Sequence, residues 1–81
     1  MDIEIYSKIN CVFCEKAKFK LKKYNPKIYM LDKDYSRDDF FKKFPHVRTF
    51  PQIIINKEHV GGYAELKRWI EKNSFDEDSN F

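Results

Sequence analysis

The chain has 81 residues, 42% hydrophobic and 36% charged, with a formal net charge of +3 at pH 7. This length supports one small domain, and because 17% of residues are aromatic we expect large rings to supply much of its core. The absence of a long apolar run argues against a transmembrane helix, and the first residues lack the basic and apolar regions of a secretory signal.

Positive charge is concentrated in the first part of the chain. Sixteen basic and ten acidic residues precede Ser74, so residues 1–73 carry +6. We expect these residues to form one domain and the acidic residues 74–81 to form a flexible tail. The lysines between the first two predicted strands are spread around a helix without interleaved exposed aromatics. A solvated helix face is therefore a simpler interpretation than a nucleic-acid site.

The first elements predict a strand–helix–strand unit. Residues 1–7 alternate apolar and polar side chains, as a half-buried strand does. Residues 12–23 favour a helix, which Asn25-Pro26 ends. Residues 27–31 are predicted to be a second strand, buried on much of both faces. The apolar line of the helix consists of Cys14, Ala17 and Leu21. We expect the two strands to be parallel, with a right-handed crossover.

The rest of the chain predicts a helix, a hairpin and a last helix. Ser36 is a candidate N-cap for a helix that stops before Pro45. A β-branched run at 52–55 and residues 58–60 favour a hairpin with a two-residue turn. Residues 63–72 favour a helix that buries Leu66, Trp69 and Ile70. The order β-α-β-α-β-β-α predicts an α/β fold, a mixed sheet with helices on its faces.

Two cysteines stand where the first strand gives way to the first helix. At a helix start, the sulfur of Cys11 meets unpaired backbone N–H groups, which favour the reactive thiolate. Cys14 lies about one turn further on, close enough to form a disulfide with Cys11. A Cys-x-x-Cys motif beside such a unit is typical of a thioredoxin-like redox site, and the absence of other cysteines fits a reducing compartment.

The same motif is half of a zinc site, so metal binding is an alternative. Zinc needs about four ligands, whereas the only histidines, His46 and His59, are not in a finger spacing. We therefore expect no metal site within one chain. An iron–sulfur cluster shared between two chains stays open, because each chain would supply one thiolate.

Three further elements are ambiguous by themselves. Pro51 stands at the entry of a strand, where a trans bond is the ordinary expectation. Gly61-Gly62 before the last helix offers unobstructed N–H groups to a carboxylate, or forms a plain turn. Lys8 is placed to stabilise a thiolate or meet an anionic substrate, or is a surface lysine.

Together, Cys-Val-Phe-Cys at 11–14, Thr-Phe-Pro at 49–51 and Gly-Gly at 61–62 resemble the glutaredoxin family, in particular its short dithiol members from bacteria and bacteriophages. The resemblance covers residues 2–72 and implies a thioredoxin fold with sheet order 2-1-3-4 and a cis Pro51. It implies a glutathione-dependent thiol–disulfide oxidoreductase with Cys11 as the nucleophile and Cys14 as the resolving thiol. It further implies a glutathione-binding groove formed by Lys8, Phe13, Thr49, Phe50, Pro51, Gly62, Tyr63, Ala64 and Glu65.

The chain departs from the family at two places. Val12-Phe13 stands where many members have Pro-Tyr between the cysteines. Ala64 stands where an Asp often receives the γ-glutamyl ammonium of glutathione, with Glu65 as a possible substitute. Losing one charge-assisted hydrogen bond costs about 1.5–3 kcal/mol.

The resemblance also implies partners. Glutathione is the expected co-substrate, with disulfide-containing or glutathionylated proteins, ribonucleotide reductase among them, as substrates. We expect a monomer in the cytoplasm (the host cytoplasm for a viral chain) with no nucleic-acid or membrane partner. Two alternatives remain: a redoxin reduced by thioredoxin reductase, and an iron–sulfur binding or transfer module that uses Cys11.

Overall fold

The computed structural model describes residues 1–73, and the predicted tail at 74–81 lies outside them. The strands are β1 (Ile3–Ser7), β2 (Lys27–Met30), β3 (Gln52–Ile55) and β4 (Glu58–Gly61), and the helices are α1 (Val12–Leu21), α2 (Arg37–Lys43) and α3 (Tyr63–Lys72). This order confirms the predicted β-α-β-α-β-β-α arrangement. The first helix ends at Leu21 rather than residue 23, because the chain tightens into a 3₁₀ turn at Lys22–Tyr24.

The four strands form one mixed sheet in the order β2-β1-β3-β4, as the resemblance implied. β1 is parallel to β2 and antiparallel to β3, which is antiparallel to β4. Ile5 of β1 therefore lies opposite Ile28 on one side and Ile53 on the other. Because β1 lies in the interior of the sheet, the loop after its last residue places Cys11 at the carboxyl end of a central strand.

The prediction that β2 is buried on both faces is wrong. Within residues 1–73, β2 is an edge strand that pairs with β1 alone. Lys27 is exposed, and 41% of the Ile28 side chain remains accessible. The apolar run resembles a central strand, but its place in the sheet depends on pairing that the run itself does not encode.

The two faces of the sheet are packed with different chemistry. On one face, isoleucines of β1 and β3 pack against α1 and α3 in an aliphatic core: Ile3, Ile5, Ile53, Ile55, Ala17, Leu21, Leu66 and Ile70. On the other face, aromatic rings from β1, β2, α2 and the residues that flank α2 contact one another: Tyr6, Tyr29, Tyr35, Phe40 and Phe44. Rings thus supply most of one face, whereas on the aliphatic face Tyr24, Tyr63 and Trp69 pack only around the buried core. Trp69, predicted to be buried, is partly buried at the edge of the aliphatic core.

Helix α2 begins with a reciprocal cap. Ser36 Oγ accepts the backbone N–H of Asp39 at 3.1 Å, and Asp39 Oδ2 accepts the backbone N–H of Ser36 at 3.2 Å. These two bonds confirm Ser36 as the N-cap and place Phe40, one turn further on, against the sheet. No helix within residues 1–73 is long and apolar enough to cross a membrane.

Candidate active site

Cys11 is the N-cap of α1. Its sulfur accepts the backbone N–H of Cys14 at 3.1 Å, and the two cysteines form a disulfide with their Cα atoms 5.2 Å apart. An N-terminal N–H group and the positive end of the helix dipole both stabilise negative charge on this sulfur. The helix start is therefore suited to a thiolate when the disulfide is reduced.

The two cysteines differ in exposure. Cys11 is partly exposed, whereas Cys14 lies on the inner side of α1 and is fully buried, at 0%. An attacking sulfur must reach an external disulfide, and a resolving sulfur needs to reach only its partner. This difference supports the predicted roles of Cys11 as the nucleophile and Cys14 as the resolving thiol.

The Thr-Phe-Pro segment lies directly beside the cysteines. The Phe50–Pro51 peptide bond is cis, as the resemblance implied. The Phe50 carbonyl oxygen lies 3.8 Å from Cys11 Sγ, within reach of the thiol hydrogen in the reduced protein. Residues almost forty positions apart in the chain thus meet at one sulfur atom.

The predicted binding residues surround one open groove of about 230 Å³, which we call the active-site groove. It is lined by Phe13, Thr49, Phe50, Gly62, Tyr63, Ala64 and Glu65. The rings of Phe13 and Tyr63 stack with centroids 5.8 Å apart, and Phe50 stacks on Phe40 at 4.4 Å. Pro51 is buried behind the groove, where its carbonyl oxygen is 3.5 Å from the position a Cβ on Gly62 would occupy.

Lysine ammonium groups stand over the rings of this groove. Lys8 Nζ lies 5.8 Å from the Phe50 centroid, Lys16 Nζ lies 5.4 Å from the Phe13 centroid, and Lys67 Nζ lies 5.8 Å from the Tyr63 centroid. Such cation–π contacts hold positive charge near the aromatic surface. The groove is therefore suited to an anionic ligand.

The Gly62 N–H binds a carboxylate of this chain instead of being left open to a ligand. The Gly62 N–H donates to Glu65 Oε1 at 2.9 Å, and the second Glu65 oxygen lies 3.6 Å from Arg68 Nη2. Gly61 has φ +120°, and a Cβ there would lie 2.9 Å from Glu65 Cγ, so glycine is required for this close approach. As the N-cap, Gly62 has no side chain to cap the helix, so the backbone N–H groups of Tyr63, Ala64 and Glu65 receive no cap from it.

Comparison with known proteins agrees with this geometry. The sequence model of the glutaredoxin family matches residues 3–60, which include both cysteines and the cis proline. The chain belongs to the glutaredoxin family. Glutaredoxins are thiol–disulfide oxidoreductases, and the Cys11–Cys14 pair makes this chain one of the dithiol kind.

Relatives and solved structures support the assignment. Glutaredoxin-1 of Rhizophagus irregularis is 38% identical over 69 residues, covering 79% of this chain and 68% of that protein. The structure of glutaredoxin 1 from Francisella tularensis aligns with a TM-score of 0.74 at 29% identity, covering 88% and 93% of the two chains. Buckwheat glutaredoxin, solved as a complex with glutathione, has the same fold, with a TM-score of 0.75 at 19% identity over 90% of this chain and 71% of that one.

One residue of this glutaredoxin site was not anticipated from the sequence. Gln52 is 2% exposed, and its Nε2 donates to the Thr49 carbonyl at 3.0 Å and lies 3.4 Å from Thr49 Oγ1. Its Oε1 lies 2.7 Å from His59 Nε2. Gln52 therefore holds Thr49 of the groove in place. The sequence feature that could have indicated this role is a polar residue directly before the run of isoleucines at 53–55.

Among residues 1–73, no group of three or more His, Cys, Asp or Glu side chains is placed to hold a metal ion.

Proposed function

We propose that this glutaredoxin uses glutathione to reduce protein disulfides and glutathionylated proteins. The observation that carries the proposal is that the partly exposed sulfur of Cys11 lies beside the Phe50 carbonyl, at the head of a groove bordered by lysines. Glutathione is a small peptide with two carboxylates, and a groove of this size and charge suits it. The glutathione complex of buckwheat glutaredoxin supports the same choice of ligand.

The reduction of a substrate begins at Cys11. Its thiolate attacks one sulfur of the substrate disulfide, a Cys11–substrate disulfide forms, and the other sulfur leaves as a thiolate that takes up a proton. Cys14, after losing its proton, attacks the Cys11 sulfur and expels the second substrate thiol. Two electrons have then passed to the substrate, and the protein holds the Cys11–Cys14 disulfide seen here.

Glutathione restores the dithiol in two exchanges. One glutathione thiolate attacks Cys11 and releases Cys14, so that Cys11 carries a glutathione. A second glutathione attacks that bound sulfur, which leaves with it as oxidised glutathione and frees Cys11. In our proposal the backbone of Phe50 pairs with the cysteinyl part of the bound glutathione, and Lys8 meets one of its carboxylates.

Single cysteine variants test the separate roles of Cys11 as the nucleophile and Cys14 as the resolving thiol. Cys11→Ser should abolish both the reduction of a protein disulfide and the removal of glutathione from a glutathionylated peptide. Cys14→Ser should abolish the first and spare the second, because deglutathionylation needs only the sulfur that carries glutathione. Rates of both reactions, coupled to glutathione reductase, measure the difference. Equal loss of deglutathionylation in the two variants would overturn the assignment.

The second candidate function is that of a redoxin reduced by thioredoxin reductase, and two residues of the groove support it. Ala64 supplies no carboxylate to a γ-glutamyl ammonium, and Glu65 is already bonded to Gly62. Supplying the protein with either glutathione and glutathione reductase or thioredoxin reductase alone, each with NADPH, discriminates between the two. Turnover only with thioredoxin reductase would make this candidate the correct one.

We further propose that the protein works as a monomer in the cytoplasm, or in the host cytoplasm if the chain is viral. Ribonucleotide reductase is a substrate suggested by the family.

A further inference from the structure

The outer face of α1 exposes large apolar side chains. Phe19 is 80% exposed and Val12 is 67% exposed, on the side opposite the buried Cys14, Ala17 and Leu21. A helix that only covers a core carries polar residues on its outer face, so this helix is apolar on two sides. Exposed apolar side chains that cluster in one place mark contact surfaces on soluble proteins.

The apolar residues line a second groove, which we call the α1 groove. It is shallow, encloses about 750 Å³ and is lined by Val12, Glu15, Lys16, Phe19, Lys20 and Tyr63. A further depression on the other side of Phe19 adds Lys22 and Ile28. The apolar surface therefore continues from the cysteines across α1 toward the exposed edge of the sheet.

The charge on this face is positive. Glu15 is the one acidic residue in the lining of the α1 groove. The Glu15 carboxylate forms an ion pair with Lys18 Nζ at 3.0 Å. Lys16, Lys20 and Lys22 remain as the cations around Phe19. Carboxylates on a partner would complement them and speed its association.

The α1 groove is connected to the reacting sulfur at one end. Val12 follows Cys11 directly, and Tyr63 lines both this groove and the active-site groove. Phe19 lies eight residues after Cys11, which is about 12 Å along the helix axis. An extended chain covers that distance in about four residues.

We propose that the α1 groove docks an extended acidic segment of the protein substrate. A large apolar side chain about four residues from the substrate's reacting sulfur packs against Phe19, and flanking carboxylates pair with Lys16 and Lys20. The inference rests on the proposed function and adds the class of protein that this site selects. A nucleic acid fits less well, since the groove lining offers two rings, Phe19 and Tyr63, rather than a row of stacking platforms.

Two glutathionylated peptides test the proposal. One carries acidic residues and a Phe four positions from the modified cysteine, and the other replaces these residues with Gln and Ser. The mixed disulfide of cysteine and glutathione serves as a small substrate that cannot reach the α1 groove. The wild-type protein should deglutathionylate the acidic peptide with a kcat/KM about tenfold above that of the neutral peptide, and added salt should reduce this preference.

Variants on and off the groove locate the effect. Phe19→Ala and the charge reversal Lys20→Glu/Lys22→Glu should each remove most of the preference for the acidic peptide while leaving kcat/KM for the small substrate unchanged. Lys57→Glu/Lys72→Glu changes the net charge equally at exposed positions outside the groove, in the β3–β4 turn and at the end of α3, and should retain the preference. Circular dichroism and thermal unfolding confirm that each variant is folded.

Several outcomes would overturn the docking proposal. They are equal activity on the two peptides, equal losses in both charge-reversal variants, and a concentration-dependent dimer that Phe19→Ala dissociates. Competition by single-stranded DNA that Lys20→Glu/Lys22→Glu abolishes, with no peptide preference, would assign the face to nucleic acid instead. If the wild-type protein turned over the small substrate normally, the proposed function would survive each of these results. If glutathione supported no turnover of any substrate, the proposed function itself would fail.

Discussion

In our proposal, residues 64 and 65 decide how the active-site groove meets the amino end of glutathione. Ala64 lines the groove without offering a charge. The next residue has the carboxylate, but Glu65 Oε1 is bonded to the Gly62 N–H at 2.9 Å and its other oxygen faces Arg68. A ligand ammonium must therefore compete with contacts that Glu65 already makes.

Ala64→Asp should consequently strengthen glutathione binding. A carboxylate at this position, in the first turn of α3, adds a charge-assisted hydrogen bond to the γ-glutamyl ammonium. Because the site is open to water, we expect the low end of the usual range, about a tenfold decrease in the KM for glutathione. Steady-state kinetics with varied glutathione measure the change.

Glu65→Gln is the matched control for that substitution. It keeps an oxygen for the Gly62 N–H and removes the charge. If Glu65 does not serve the ammonium, the KM for glutathione should change by less than about twofold. A large rise in KM for Glu65→Gln, with no gain from Ala64→Asp, would show that Glu65 is already the ammonium acceptor.

At the level of single elements, α2 depends on its first turn. It has seven residues, too short to be stable by helix propensity alone, and its reciprocal cap satisfies two backbone N–H groups. The pKa of the Asp39 carboxyl is lowered, chiefly by its bond to the Ser36 N–H. This contribution is present at neutral pH and is lost as the pH falls through the lowered pKa.

Ser36→Ala should therefore destabilise the protein. Loss of an N-cap of this kind costs about 1 kcal/mol, which lowers the Tm of a domain of this size by about 4–8 °C. Ser36→Asp keeps an oxygen that accepts the Asp39 N–H and should stay close to the wild type. Thermal unfolding of the oxidised proteins provides the comparison, and an equal decrease in Tm for both variants would contradict the capping argument.

At the scale of the whole molecule, local patterns predicted the order of elements and the helix start that carries the cysteines. Each depends on residues close in sequence, such as the alternation in β1 or the proline after α1. The exposure of β2 was not predictable in this way, because it depends on which distant segments pair in the sheet. The Glu65–Gly62 and Gln52–Thr49 bonds join residues only three positions apart. They depend on the exact backbone geometry of a helix start and of the turn at the cis proline, which the residue pattern did not indicate.

The aromatic face shows how such distant contacts reach the site. The Tyr35 hydroxyl donates to the Ser7 carbonyl at 2.7 Å, at the end of β1, one residue before Lys8. Tyr6 packs edge-on against both Tyr35 and Phe44. Phe40 connects this cluster to Phe50 of the active-site groove. The end of β1 that leads into the loop carrying Lys8 and Cys11 is therefore anchored to the aromatic face of the sheet.

This face should make the whole protein sensitive to alkaline pH. Burial, followed by the charge of Glu4, raises the pKa of Tyr6 to about 12, and burial, followed by the nearby Tyr6, raises that of Tyr35 to about 12. In the unfolded chain both phenols ionise near their ordinary pKa of about 10. Below that pH both states are protonated, and between about pH 10 and 12 the unfolded chain loses protons first, so the free energy of unfolding falls.

Urea unfolding of the oxidised protein across this range measures the decline, with Tyr35→Phe as the comparison. The variant loses the bond to Ser7 and should be less stable at neutral pH, by about 1 kcal/mol. It also lacks one of the two shifted phenols, so its stability should fall less steeply between about pH 10 and 12. The two proteins differ only at residue 35, so contributions from the rest of the chain cancel in the comparison. Parallel curves for the two proteins would mean that Tyr35 ionises equally in the folded and unfolded states, contrary to its raised pKa.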